Sequence, residues 1–247
     1  QTGAIRQSRY APPVSDPREL PLLFETPLTV IDVETWCPGQ GNRHRIIEIA
    51  AAVYDRRGRL ARGSLTAAGD SGGGAAMTYQ ELCRPADLPR RRVRLHNAVD
   101  PRWLWRPGVD TEAGAVQRFA AWHYRTGGWP LVAYNHGFDR AALHGALSEA
   151  EGWPLEEADA YGLPWAECLM QMTRRVLKLP RRISKEKAAR AVGLEPDDVL
   201  PRAALEADYT GPLTLHLGLP DVLLEGALLV ALARRDPDQP GKDTPTK

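Results

Sequence analysis

A chain of 247 residues with 43% hydrophobic and 26% charged residues has the make-up of an ordinary globular protein, with length for one α/β domain and some decoration. No apolar run approaches the ~18–20 residues needed to cross a bilayer, and the first residues, Gln1-Thr2-Gly3-Ala4-Ile5-Arg6, lack the apolar core of a secretory signal, so the expectation is no membrane and cytoplasmic residence. The net charge of +1 argues neither for nor against an acidic partner, and the three scattered cysteines, Cys37, Cys83 and Cys168, make neither a disulfide framework nor a CxxC metal pattern.

Residues 1–25 read as an irregular lead-in broken by Pro12, Pro13, Pro17 and Pro21. Leu28 to Val33 is a run of strong β-formers and predicts a strand. Arg45 to Tyr54 predicts a second, closed by the turn sequence Asp55-Arg56-Arg57-Gly58. Residues 63–76 are rich in Gly, Ala and Ser and read as a flexible insertion ahead of a third strand, Met77 to Arg84. From Thr111 to Tyr124, the spacing of Ala113, Val116, Phe119, Ala120 and His123 is helical. Leu131 to Tyr134 predicts a short buried strand running into a helix from about Phe138 to Glu149. Further helices are expected at 165–178, 184–192 and 220–234, and the polar, Pro-rich residues 235–247 read as a disordered tail. Three successive strands followed by alternating helices and strand predict an α/β domain over residues 26–234, a mixed central sheet flanked by helices.

Three short segments carry candidate chemistry. Asp32 and Glu34 lie two apart in the first strand, so both side chains leave the same face. The neighbours Val30, Ile31 and Val33 mark that strand as central, and two like charges on a buried face resist desolvation unless a cation lies between them. The plain alternative is a strand end whose acids meet solvent or an arginine. In Val132-Ala133-Tyr134-Asn135-His136-Gly137-Phe138-Asp139 an apolar strand gives way to a turn and then to a helix with Asp139 in its first turn. Alone, that acid reads as a helix-dipole partner. In His216-Leu217-Gly218-Leu219-Pro220-Asp221, Pro220 suits a helix start, with Asp221 in the first turn and His216 in the preceding loop.

Taken in order, Asp-x-Glu on the first strand, Asn-x-x-Phe-Asp at mid-chain and His-x4-Asp near the end resemble the DEDDh (DnaQ-like) 3′→5′ exonucleases of the RNase H-like superfamily. The resemblance runs over about residues 27–234. It includes Arg45-Ile46-Ile47-Glu48-Ile49-Ala50 as the second strand, Leu95-His96-Asn97-Ala98-Val99 as a short His-containing segment, and residues 184–194 as a helix ahead of the last motif. The chain departs from the pattern in Thr35-Trp36-Cys37-Pro38, where the family commonly has Thr-Thr-Gly, in Gly218 and Pro220, and in the insertion at 63–76.

The resemblance implies the RNase H-like fold and a metal-dependent hydrolysis of phosphodiester bonds from a 3′ end, with release of nucleoside monophosphates. It implies Asp32, Glu34, Asp139 and Asp221 as ligands of two Mg²⁺ or Mn²⁺ ions, hard cations suited to carboxylate oxygen, and His216 as general base. Thr35, Trp36, His96 and Asn135 are the candidate substrate contacts. Trp36 is equally a core or rim aromatic and Asn135 equally an Asx-turn residue, while His136 and His144 read as surface or packing residues. The basic stretch from Arg174 to Arg190 and the cluster Arg90, Arg91, Arg92 and Arg94 are candidate phosphate contacts. The expected partner is a 3′ end of nucleic acid, single-stranded, with DNA favoured over RNA by resemblance alone. A polymerase or other nucleic-acid-processing complex and a second copy of the chain are further candidate partners. The other readings are RNA trimming of the oligoribonuclease kind and a non-catalytic nucleic-acid-binding partner of such a complex.

Overall fold

The computed structural model describes residues 22–39, 43–65, 73–89, 95, 97–152 and 163–236. Strand β1 (Leu28–Trp36) pairs antiparallel with β2 (Arg45–Tyr54), and β2 pairs antiparallel with β3 (Thr78–Arg84). A 3-10 turn (Pro101–Trp105) and the two-residue strand β4 (Asp110–Thr111) lead into helix α1 (Glu112–Arg125). Strand β5 (Leu131–Val132) then lies parallel to β1, giving the sheet order β4-β3-β2-β1-β5. The remaining helices are α2 (His136–Glu151), α3 (Leu169–Val176), α4 (Lys185–Ala191), α5 (Pro196–Glu206) and α6 (Gly218–Arg235). This is the mixed sheet with helices on its faces that the sequence predicted.

The two-residue period of β1 divides the core. Val30 joins Ala50, Ala52, Leu219, Val222 and Leu223 on the face covered by α6, while Ile31 and Val33 join Phe119, Leu143 and Leu147 under α1 and α2. Asp32 and Glu34 share the parity of Val30 and therefore face α6. That helix is apolar on most of its circumference: Leu219, Val222, Leu223, Leu224, Leu228, Leu229 and Leu232 are all buried. Each such side chain contributes roughly 1.5–3 kcal/mol on leaving water, so the position of α6 against the sheet is strongly determined.

Local signals account for several ends. Thr111 caps α1 by accepting from the Gly114 N–H at 3.1 Å, and Ser184 caps α4 by accepting from the Lys187 N–H at 3.4 Å. In the turn after β2 the Gly58 N–H donates to the Asp55 carbonyl at 2.9 Å, with Gly58 at a φ of +75° that favours glycine.

The structure corrects some boundaries. Helix α2 begins at His136, two residues before its predicted start, and α6 runs through Arg235. Asp236 follows it, buried and bonded to Arg175 at 2.7 Å, so the start of the predicted tail is packed; residues 237–247 lie outside the described residues. The predicted insertion has a paired base, with the Gly63 N–H donating to the Ala75 carbonyl at 2.8 Å and a bridge between Arg62 and Ala76; its residues 66–72 lie outside the described ones. Of the predicted lead-in only 22–25 are described, and these form no regular element. Helix α5 was not expected, and it carries Pro201, a residue disfavoured inside helices. Its buried Pro196, Leu200 and Ala204 outweigh that preference. Among the described residues no helix is long and apolar enough to cross a membrane.

Candidate active site

Strand β1 sets the first two acids. Asp32 stands opposite Ala50 and Glu34 opposite Glu48 on β2, and the register slips between Glu34 and Thr35 as the strand leaves the sheet. Glu34 therefore meets a second glutamate across the strand pair. Glu48 is 1% exposed and is pinned by two donors: Gln80 Nε2 at 2.6 Å and the main-chain N–H of Gly218 at 3.1 Å. A Cβ at position 218 would lie 2.7 Å from the Ala50 Cβ and 3.2 Å from Glu48 Cδ, so only glycine lets the start of α6 approach β2 this closely. The Gly218 that departs from the family pattern is thus part of how α6 docks.

The approach of α6 carries the third acid. Asp221 is buried, and its Oδ1 accepts from the main-chain N–H of His216 at 3.2 Å. His216 has a φ of +66°, uncommon for a residue with a Cβ, and its carbonyl accepts from the Ala98 N–H at 2.9 Å. Both bonds hold a turned-out loop whose imidazole is exposed. Glu34, His216 and Asp221 each offer a ligand atom, and these atoms all lie within 4.8 Å of one another.

Asp139 comes from the other side of the sheet. It is buried in the first turn of α2, and its Oδ1 accepts from the Val33 N–H at 3.2 Å, between the two acids of β1. Helix α2 has no side-chain cap, and the exposed Asn135 at its start uses its carbonyl to accept from the Phe138 N–H at 2.8 Å.

Two further residues, like Glu48 not anticipated, complete the cluster. Lys185, the first residue of α4, places Nζ 2.6 Å from Asp221 Oδ2, 3.1 Å from Glu225 Oε1 and 3.3 Å from Asp32 Oδ1. Glu225 lies one turn after Asp221 on α6, and its Oε2 accepts from the Tyr134 N–H at 3.1 Å. The sequence offered one signal for Glu225: its i+4 spacing from Asp221 on an otherwise apolar helix. Lys185 was submerged in a basic run, and Glu48 in an apolar strand.

The electrostatics follow from so many acids in little water. Burial, with Asp32 and Asp221 beside it and Lys185 opposing, pushes the Glu34 carboxyl up to about 9. Burial also raises Asp139 well above the usual carboxylate range, with Asp32 adding to it. Asp221, Glu48 and Glu225 are raised, again by burial first, and Lys185 works against the rise at Asp221 and Glu225. For Lys185 burial disfavours the ammonium, but Asp32, Glu225 and Asp221 outweigh it and hold its proton well above the ordinary lysine range. The cluster is short of positive charge and rich in hard oxygen donors, which is the chemistry that a Mg²⁺ or Mn²⁺ ion fits.

The other candidates are placed less centrally. The Thr35 hydroxyl lies 3.2 Å from His44 Nδ1, and the Thr35 carbonyl accepts from Asn97 Nδ2 at 3.2 Å. Trp36, partly buried, packs against the cluster of Ile47, Leu104 and Leu217. His144 is buried with Nε2 3.4 Å from Trp165 Nε1, and His136 packs edge-on against the same indole. In the basic stretch, Arg174, Lys178, Arg181, Arg182 and Lys187 are exposed, whereas Arg175 pairs with Glu167 and Asp236, and Lys185 turns inward. His96 and Arg90, Arg91, Arg92 and Arg94 lie outside the described residues. A cavity of about 510 Å³ adjoins Glu48, lined in part by Trp103, Arg106, Tyr209 and Leu217.

This architecture is the RNase H-like exonuclease fold. No family model and no curated protein matches the sequence. Solved structures do match the fold. A 3′-exonuclease described in 3′-end-specific recognition of a histone mRNA stem-loop is 14% identical, with a TM-score of 0.56 over 88% of this chain and 67% of its own. Cell-death related nuclease 4 is 14% identical, with a TM-score of 0.51 over 86% of this chain and 64% of its own. E. coli Exonuclease I in complex with a 5cy-dA13 oligonucleotide is 15% identical, with a TM-score of 0.55 over 86% of this chain and 41% of its own. The chain thus spans about two thirds or less of the length of these proteins, and at such identities the likeness is one of fold.

Proposed function

We propose that this chain is a metal-dependent 3′→5′ exonuclease of the DEDDh type, hydrolysing phosphodiester bonds from the 3′ end of a single strand and releasing nucleoside monophosphates. The observation that carries the reading is convergence: Asp32 and Glu34 from β1, Asp139 from α2, and His216 with Asp221 from the start of α6 meet at one place although they come from three distant stretches. Asp32, Glu34, Asp139 and Asp221 would hold two divalent cations, Mg²⁺ or Mn²⁺. When bound, these would polarise the scissile phosphodiester and make the attacking water more acidic. The exposed imidazole of His216 takes the proton from that water, and the two main-chain bonds of its loop hold it at the lip of the acidic cluster. The exposed Arg181, Arg182 and Lys187 neutralise the backbone of the incoming strand. Thr35, Trp36 and the aromatic wall of the cavity beside Glu48 receive the terminal nucleotides.

DNA is favoured over RNA as substrate on family resemblance; the solved structures of this fold include one described with an mRNA stem-loop and one with a dA13 oligonucleotide. Cytoplasmic residence, and work beside a polymerase or as a pair of chains, belong to the same reading. The test is degradation of matched single- and double-stranded DNA and RNA, each labelled at either end. Mononucleotide release from the 3′ end with Mg²⁺ or Mn²⁺, abolished by EDTA, is expected. Absence of release from every substrate with either ion would sink the proposal. One observation favours the second reading, a non-catalytic binding module: Lys185 already supplies a positive charge among the acids. Strand binding without release would select it.

A further inference from the structure

One lysine of the basic stretch does not face solvent. The Lys185 side chain is 13% exposed and its ammonium sits between Asp32, Asp221 and Glu225. Glu225, at 1% exposure, has its other oxygen engaged by the Tyr134 N–H and is fixed in place. A buried carboxyl so fixed carries charge at low cost only beside a counter-ion, and among the described residues Lys185 is the cation bonded to it. In reaching it, the ammonium also bonds Asp32 and Asp221, two of the four acids that would hold the divalent ions.

We propose that Lys185 is a built-in cation standing in for one of the two divalent ions expected from the resemblance, so that the chain binds a single divalent ion, on the side where Glu34, Asp221 and His216 converge. The inference rests on the exonuclease reading and replaces its two-ion expectation. An ion placed between Asp32 and Asp221 would lie against the ammonium, and two cations at that range in a buried site repel strongly. An ion beside Glu34 meets a carboxylate that Lys185 does not touch, with Asp221 and His216 atoms within 4.8 Å. The competing arrangement has Lys185 withdraw to Glu225 alone and release Asp32 and Asp221 to two ions.

The experiment uses Mn²⁺ alone as the probe, with stoichiometry from calorimetric titration and ion–ion proximity from electron paramagnetic resonance. The unaltered chain is expected to take up one tight Mn²⁺ with the spectrum of an isolated ion. The double variant Lys185→Met/Glu225→Gln, which removes the buried charge and its counter-charge together, is expected to take up two. Its second ion should bind at least about tenfold more tightly than any second ion in the unaltered chain, and the spectrum should show spin coupling. Two spin-coupled Mn²⁺ ions in the unaltered chain would overturn the inference. Circular dichroism checks that the variant folds, and if it does not, the count in the unaltered chain decides alone. The failures are distinguishable: two coupled ions together with mononucleotide release removes the role of Lys185 and leaves the exonuclease, whereas no tight Mn²⁺ in either protein and no release removes both.

Discussion

The main-chain N–H of Val33 donates to Oδ1 of Asp139 at 3.2 Å, a bond that spans 106 residues of sequence and fastens the first turn of α2 between the two acids of β1. The bond needs an acceptor but no charge. Asp139→Asn keeps the acceptor, and because burial already favours the neutral acid, the metal-free variant should unfold at the temperature of the unaltered chain or slightly above it. Under the proposed exonuclease reading, mononucleotide release should fall roughly 10²–10³-fold for loss of one charged group at the proposed reacting centre. An unchanged rate would remove Asp139 from the site.

His216 separates backbone from side chain in the same way. Its left-handed φ of +66° is a conformation that asparagine tolerates well, so His216→Asn should keep the loop and the bond to Asp221 while deleting the proposed general base. The expected outcome is a folded protein with kcat down roughly 10²–10⁴-fold and strand affinity little altered. Steady-state kinetics beside a binding titration gives the comparison.

Acid sensitivity should come from a histidine remote from the site. His123 is fully buried against Phe119, and among the described residues neither ring nitrogen has a hydrogen-bond partner. Burial pushes its pKa down to about 4 from an ordinary 6.5. Between those values the unfolded chain binds more protons than the folded one, so this group makes stability fall as the pH drops from about 6.5 to about 4. In His123→Leu, the stability difference between pH 7.5 and pH 4.5 should shrink by about 2 kcal/mol, measured by urea unfolding.

Glu112 ties the start of β2 to α1. Its carboxylate is 5% exposed, accepts from Arg43 at 3.1 and 3.2 Å and from the Ile46 N–H at 2.7 Å, and lies 3.2 Å from Arg45 Nε. Removing it leaves two half-buried guanidinium groups with weaker partners, so Glu112→Ala should cost about 3 kcal/mol. Glu112→Gln retains an acceptor for Ile46 and should cost less. A thermal shift equal for both variants would contradict this account.

Binding of a single strand should weaken steeply with salt if the exposed arginines meet phosphates. Each phosphate contact contributes about 0.7 to the slope of log affinity against log salt for a single strand, so Arg181→Ala/Arg182→Ala should flatten that slope by as much as about 1.4. An unaltered slope would place these side chains off the strand path.

Much of this molecule is written locally. The alternation of Val30, Ile31, Asp32, Val33 and Glu34 predicted a buried strand with two acids on one face; the helical spacing after Thr111 predicted α1, and a helix was expected over 184–192, where α4 lies. These readings rest on the periods of strand and helix, which act within a few residues. The His216 to Asp221 spacing, through its resemblance, also pointed to the candidate site. Tertiary structure decided how those pieces meet. Gly218 matters because of what Ala50 and Glu48 do when α6 docks, and Glu48, Lys185 and Glu225 belong to the cluster because three elements far apart in sequence close on the same space. A salt bridge or a close approach between distant elements leaves no period in the chain. Whether Lys185 is one more solvated base or a cation held between Asp32, Asp221 and Glu225 was therefore settled by the packing of α4 and α6 against β1.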